Sequence, residues 1–163
     1  MFILFRYENK DKLIDDLILL FIKEGFNIQV YKAYTTNSVY IKLDYGFCYT
    51  IRISDHKGRS NLSYRYNIDV TRKKLVDRRI EYGRNRNYYG RFRIDVMIAD
   101  ILKCRNDKIN EIGGISEYMK AKNEYRKQNK DNKGFWSKAI EYNIDDDTGK
   151  VIEWNVENAS LLI

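Results

Sequence analysis

From Ser38 to Ser54 the chain reads SVYIKLDYGFCYTIRIS, and apolar and polar residues alternate through both halves. Val39, Ile41 and Leu43 alternate with Tyr40, Lys42 and Asp44; Phe47, Tyr49, Ile51 and Ile53 alternate with Cys48, Thr50, Arg52 and Ser54. A period of two is the repeat of an extended strand, whose successive side chains point to opposite faces. Tyr45-Gly46 between the halves reads as a tight turn. This stretch therefore commits the chain to an antiparallel hairpin with one core face and one polar face.

The flanks extend that hairpin. IQVYKAY, from Ile28 to Tyr34, reads as a strand ending at the turn signal TTN, and LSYRYNIDV as another after the loop DHKGRSN. Ahead of them, Leu13, Leu17, Leu20 and Phe21 recur at helical spacing, with Asn9 as a cap and Gly25 as a stop. Met1 to Tyr7 reads as a buried strand or a lead into that helix. TRKKLVDRRIEY predicts a helix capped by Thr71, GRNRNYYG a Gly-bounded loop, and RFRIDVMIADILKC a buried helix. Residues 107–133 are helical in propensity but polar, are broken at Gly113-Gly114, and are expected to protrude as an arm. AIEYNIDDDTGKVIEWNV predicts a hairpin about an Asp-Thr-Gly turn.

The expected architecture is α+β, in a single domain over residues 1–163. An N-terminal helix leads into an antiparallel β-meander of three to four strands. Further helices and a C-terminal β-hairpin follow. The order helix–strand–strand–strand–helix also occurs in double-stranded-RNA-binding domains, but that fold's loop signature is absent. A hydrophobic share of 44%, with fourteen Tyr and seven Phe, is enough for a packed core. Cys48 and Cys104 stand far apart with no Cys-x-x-Cys, the pattern of reduced thiols. MFILFRYENK lacks a basic lead and a small-residue cleavage site, and no apolar run reaches membrane-spanning length. A cytoplasmic protein with no membrane contact is expected.

Charge is unevenly spread. RKKLVDRRIEYGRNRNYYGRFR, Arg72 to Arg93, holds nine Arg or Lys against Asp77 and Glu81. Its net charge of +7 equals that of the whole chain. Arg forks match phosphates and carboxylates alike, and Tyr rings stack on unpaired bases or anchor protein interfaces. The expected partner-binding residues are Arg72, Lys73, Lys74, Arg78, Arg79, Tyr82, Arg84, Arg86, Tyr88, Tyr89, Arg91 and Arg93. Nucleic acid and an acidic protein surface are the two candidate partners, and a solvated helix face is the plain alternative. The helix Glu117 to Lys133 is a second candidate interface. Residues 140–163 carry six acids against one Lys. That tail either folds back on the basic segment or itself imitates nucleic acid towards a basic partner.

The catalytic inventory is thin. His56, the one histidine, follows Ser54 and Asp55, but strand-end neighbours point apart and do not converge as a triad. A polar loop is the simpler reading of Asp55, His56 and Lys57. One His and two scattered Cys are a poor zinc set, and DDDTGK lacks the spacing of a calcium loop. EYGRNRNYYG is too compact for a GIY-YIG endonuclease, and Glu8 to Lys10 lacks the upstream acid of a PD-(D/E)xK nuclease. Phosphate-binding Gly loops and nucleophile elbows are absent. The expectation is a binding protein with no cofactor and no metal; a small nuclease using Asp55, His56 or the acidic turn is the enzymatic alternative.

The Ser-x-Tyr strand and the Ile-Arg-Ile-Ser-Asp-His strand, within SVYIKLDYGFCYTIRISDHKGRS, resemble a pattern in small accessory proteins of phages and mobile elements of Gram-positive bacteria. Together with the proline-free, Tyr-, Lys- and Asn-rich composition, they make the chain similar to anti-CRISPR proteins, especially inhibitors of type II effector nucleases. Those proteins share a mode of action and not a fold. The resemblance implies a non-catalytic inhibitor that binds the effector nuclease, or its guide-RNA complex, and blocks DNA loading or cleavage. A stand-alone nucleic-acid-binding regulatory protein is the alternative.

Overall fold

The computed structural model describes residues 10–33, 38–54, 63–67, 86–90, 93–129, 138–145 and 147–155. Helix α1 spans Lys10–Lys23 and is followed by strands β1 (Ile28–Lys32), β2 (Val39–Leu43) and β3 (Thr50–Ser54). Strands β4 (Ser63–Asn67) and β5 (Arg86–Gly90) come next, then helices α2 (Ile94–Ile112) and α3 (Ile115–Asn129). Strands β6 (Ile140–Ile144) and β7 (Val151–Asn155) close the chain's described part. The α+β architecture is the expected one.

The seven strands among the described residues belong to one sheet, in the order β5-β4-β3-β2-β1-β6-β7, and each of their pairings is antiparallel. The meander is therefore longer than expected, and the C-terminal hairpin joins it through β1 instead of standing apart. GRNRNYYG is not a loop throughout: Arg86–Gly90 form β5, paired over five positions with β4. Gly and Asn signal turns locally, but a neighbouring strand with open hydrogen-bonding groups offers Tyr88-Tyr89 a better use of their backbone.

One face of the sheet is the core. Ile28, Val30, Val39, Ile41, Leu43, Ile51 and Ile53 are buried there. They meet Leu13, Ile14, Leu17, Ile18, Phe21 and Ile22 of α1 and Ile94, Met97, Ile98 and Ile101 of α2. The expectation of a buried helix at α2 needs correction: Ala99 and Lys103 are exposed, so the helix buries one stripe and not its whole girth. Cys48 and Cys104 form no disulfide, and Cys48 lies within the core.

Two connections decide where the remaining elements go. Between α2 and α3, Gly113 and Gly114 have φ of 108° and 119°, and the Gly114 N–H closes on the Ile109 carbonyl at 2.8 Å. That left-handed cap ends α2 and lets α3 begin at once in a new direction. Between β2 and β3 the chain is not turned by Tyr45-Gly46 alone. A short 3-10 turn, Asp44–Gly46, is followed by Tyr49, and Asp44, Tyr45 and Tyr49 all have positive φ. The Leu43 N–H meets the Tyr49 carbonyl at 2.9 Å, which closes the wider loop.

This loop is the seat of α3. Tyr118, Lys122 and Arg126 lie four residues apart along α3 and are 0%, 2% and 8% exposed. The polar helix does not protrude over residues 115–129, because its buried stripe is polar instead of apolar. The rest of the expected arm, residues 130–133, lies outside the described residues.

Candidate binding surface

On the sheet face opposite the core, Tyr31, Tyr40 and Arg52 stand side by side in backbone register, and the register continues through positions 65 and 88 of β4 and β5. Tyr31 pairs with Tyr40, Tyr40 with Arg52, Arg52 with Arg65, and Arg65 with Tyr88. Tyr31, Tyr40 and Arg52 are half-buried, against the complete burial of Ile41 and Ile53 on the core face. The row exists because alternation places Tyr40 and Arg52 away from the core, and the antiparallel register then sets them side by side.

Arg52 is organised from two sides. Its Nε and Nη2 donate to the Ser38 Oγ at 3.2 and 3.0 Å. Its guanidinium carbon lies 5.8 Å from the centre of the Tyr40 ring. Ser38, Tyr40 and Arg52 belong to the Ser-x-Tyr and Ile-Arg-Ile-Ser stretches, so the structure joins these two stretches into one contact set. An Arg fork beside aromatic faces suits a planar, anionic ligand: the fork matches phosphate or carboxylate oxygens, and the rings match flat groups.

On this same side of the sheet, at its β1–β6 end, an ion network locks α3 to the strands. The buried Asp44 carboxylate accepts from the Asn27 N–H at 2.9 Å, from Arg105 Nε at 2.8 Å and from the Tyr118 hydroxyl. Arg126 meets Glu141 fork to fork, and Gln29 Nε2 reaches the same carboxylate at 3.5 Å. Glu141 is opposite Gln29 in register, on the side away from the core. Lys122 Nζ donates to Asn27 Oδ1 at 2.6 Å. Burial pushes the Lys122 ammonium below its ordinary value, Asp44 opposes this, and Arg105 and Arg126 reinforce it. Burial alone would lower Arg105 too, but the Asp44 charge and hydrogen bond outweigh it and raise it. The Tyr45 hydroxyl is pushed up to about 12 by burial, with the Arg126 charge only partly offsetting this. Burial and the neighbouring Asp44 charge raise Tyr118 as well. These charges are paired within the protein and position α3.

Of the expected partner-binding residues, Arg72, Lys73, Lys74, Arg78, Arg79, Tyr82, Arg84 and Arg91 lie outside the described residues, as do Asp55, His56 and Lys57. Arg86 and Tyr88 occupy strand positions in β5, and Arg93 is exposed just ahead of α2. Tyr89 is a correction. It is 4% exposed, packs in the core and donates its hydroxyl to Asp100 at 2.6 Å, so it offers no ring to a partner. Its place in β5 turns the Tyr89 ring to the core, which a loop reading of YY conceals.

The described part of the acidic tail, residues 140–145 and 147–155, does not fold back on the described part of the basic segment. β6 and β7 lie at the far end of the sheet from β5, with four strands between, and Glu141 is taken by Arg126. DDDTGK forms the expected turn, in which Asp145 Oδ1 accepts the Asp147 N–H at 2.9 Å. Among the described residues, no group of three or more His, Cys, Asp or Glu is arranged to hold a metal ion, and no helix is long and apolar enough to cross a membrane.

Sequence reasoning missed the row across β1 to β5, because Tyr31, Tyr40 and Arg52 stood out only as the polar positions of separate strands. The signal was the matching parity of Tyr40 and Arg52 about the loop that joins β2 to β3. No family model, no curated protein and no solved structure matches this chain.

Proposed function

We propose that this chain is a non-catalytic nucleic-acid-binding protein whose contact surface is the Tyr/Arg row on the sheet face. The observation that carries the reading is the register alignment Tyr31–Tyr40–Arg52–Arg65 across four strands, with position 88 continuing it. Net charge supports it: a chain at +7 attracts polyanions at long range, and Arg forks then engage phosphates at contact. Lys42 lies on the same strand face as Tyr40, two residues along β2, and adds a further positive position.

The test is binding of a labelled oligonucleotide by fluorescence anisotropy at about 50 and about 200 mM salt. Affinity is expected to fall steeply with salt, and Arg52→Ala is expected to reduce the logarithmic slope by about one. No binding at the lower salt concentration overturns the proposal.

A second reading is an inhibitor of a CRISPR effector nuclease. It is favoured by the contact of Arg52 with Ser38 and Tyr40, which unites the two stretches carrying that resemblance. On this reading the same row docks on the effector nuclease itself. Capture of an effector nuclease that persists after nuclease digestion of the sample supports it. Capture that vanishes with the nucleic acid removes it.

A further inference from the structure

We infer that the sheet face takes an unpaired nucleic-acid strand, running across the β-strands, and discriminates against duplex. This rests on the nucleic-acid-binding reading and narrows it to a ligand class. The row runs perpendicular to the strands, and neighbouring strands stand about 4.8 Å apart. Tyr31 and Tyr40, paired side by side on β1 and β2, form one aromatic end. Arg52, paired with Tyr40 across β2 and β3, sets a basic group beside that end. The backbone register continues through positions 65 and 88 of β4 and β5.

Paired rings with a guanidinium beside them are what an unpaired strand matches. Its bases expose flat faces to stack on rings, and its phosphates fall between them. A duplex hides those faces in its own stack and presents phosphates alone. Tyr31 and Tyr40 would then contribute nothing, and only the Arg positions would engage. Sheet faces of this size hold about two or three stacked bases, so the footprint is short, about four nucleotides. Tyr40 is the central stacking residue because it adjoins both Tyr31 in register and the Arg52 guanidinium.

The experiment uses the full chain with labelled oligo(dT) and oligo(U) of increasing length, and with duplexes of matched length. Affinity for single strands is expected to rise with length and level off near about four nucleotides, with duplex about tenfold weaker. Tyr40→Ile, which keeps a β-prone residue without a ring, should weaken single-strand binding about tenfold and leave duplex binding unchanged. Tyr40→Phe should bind as the parent does, and Tyr31→Ile repeats the test at a second position should Tyr40→Ile fail to fold. Comparable binding of duplex and single strand, or full binding by the folded Ile variants, overturns this inference while leaving nucleic-acid binding intact. Absence of binding to every oligonucleotide overturns both. Preference between the deoxy and ribo series separates DNA from RNA as the source of the strand.

Discussion

The Arg126 guanidinium meets the Glu141 carboxylate fork to fork, Nη1 to Oε1 at 3.0 Å and Nη2 to Oε2 at 2.8 Å. Both side chains are nearly sealed from solvent, at 8% and 3% exposure. This contact ties the last turn of α3 to β6. It also fills the sheet face beside Gln29, which leaves the Tyr/Arg row further along the sheet. Arg126→Leu should strand a buried carboxylate and cost about 3–5 kcal/mol. Glu141→Leu alone should cost comparably, and the double variant distinctly less than the sum. A double-mutant cycle by urea unfolding measures this, and strict additivity would count against the pair as a unit.

The turn that receives α3 has little tolerance for side chains. Gly46 has φ +93°, and an added Cβ would lie 3.4 Å from Tyr125 Cε1 and 3.6 Å from Lys42 Cδ. Gly46→Ala is therefore expected to lower stability by about 1–2 kcal/mol, through backbone strain more than through contact. Gly149 has φ +69° with open space around the missing Cβ, so Gly149→Ala isolates the backbone part. Thermal unfolding of the two variants gives the comparison, and an unchanged Tm for Gly46→Ala would refute the strain.

Alkaline pH should loosen this same junction. Tyr45 moves from an ordinary 10.0 to about 12 in the folded protein, so the folded state keeps a proton that the unfolded chain releases. A raised value contributes stability that is complete below pH 10 and is lost as pH rises towards 12. The loss from this group is on the order of 2 kcal/mol. Tyr118 is also raised and adds to the loss with the same sign. Lys122 acts oppositely, since folding favours its neutral form and rising pH relieves that strain. Urea midpoints for the parent and Tyr45→Phe on either side of pH 10 test this. The variant should lose less on the alkaline side, and identical losses would contradict it.

Tyr89 and Tyr40 should separate stability from binding. Tyr89→Phe removes the 2.6 Å hydrogen bond to Asp100 on α2, at a cost of about 1–2 kcal/mol, and leaves oligonucleotide affinity unchanged. Tyr40→Phe should change neither by much, because its role is that of a ring on a half-buried face. Chemical denaturation and anisotropy on the same samples give both readouts. A loss of binding in Tyr89→Phe at constant fold would show that the core tyrosine reaches the ligand.

Much of the secondary structure could be read locally. Val39, Ile41 and Leu43 against Tyr40 and Lys42 determined β2 and its buried side, and Ile51 and Ile53 did the same for β3. Leu13, Leu17 and Phe21 determined the inner stripe of α1. These are nearest-neighbour regularities, and the residues that create them also satisfy them. The packing of α3 is different. Tyr118, Lys122 and Arg126 look like a solvated stripe until Asp44, Asn27 and Glu141 are brought to them from 74, 95 and 15 residues away. A buried charge is stable only beside its partner, and no property of the helix alone reveals one. β5 and the Tyr/Arg row belong to the same class. Alternation determined that Tyr40 and Arg52 face away from the core, but tertiary structure alone decided which residue of one strand stands beside which of the next. Register is a relation between strands, set by the loop between β2 and β3 and by the helices that pack against the sheet.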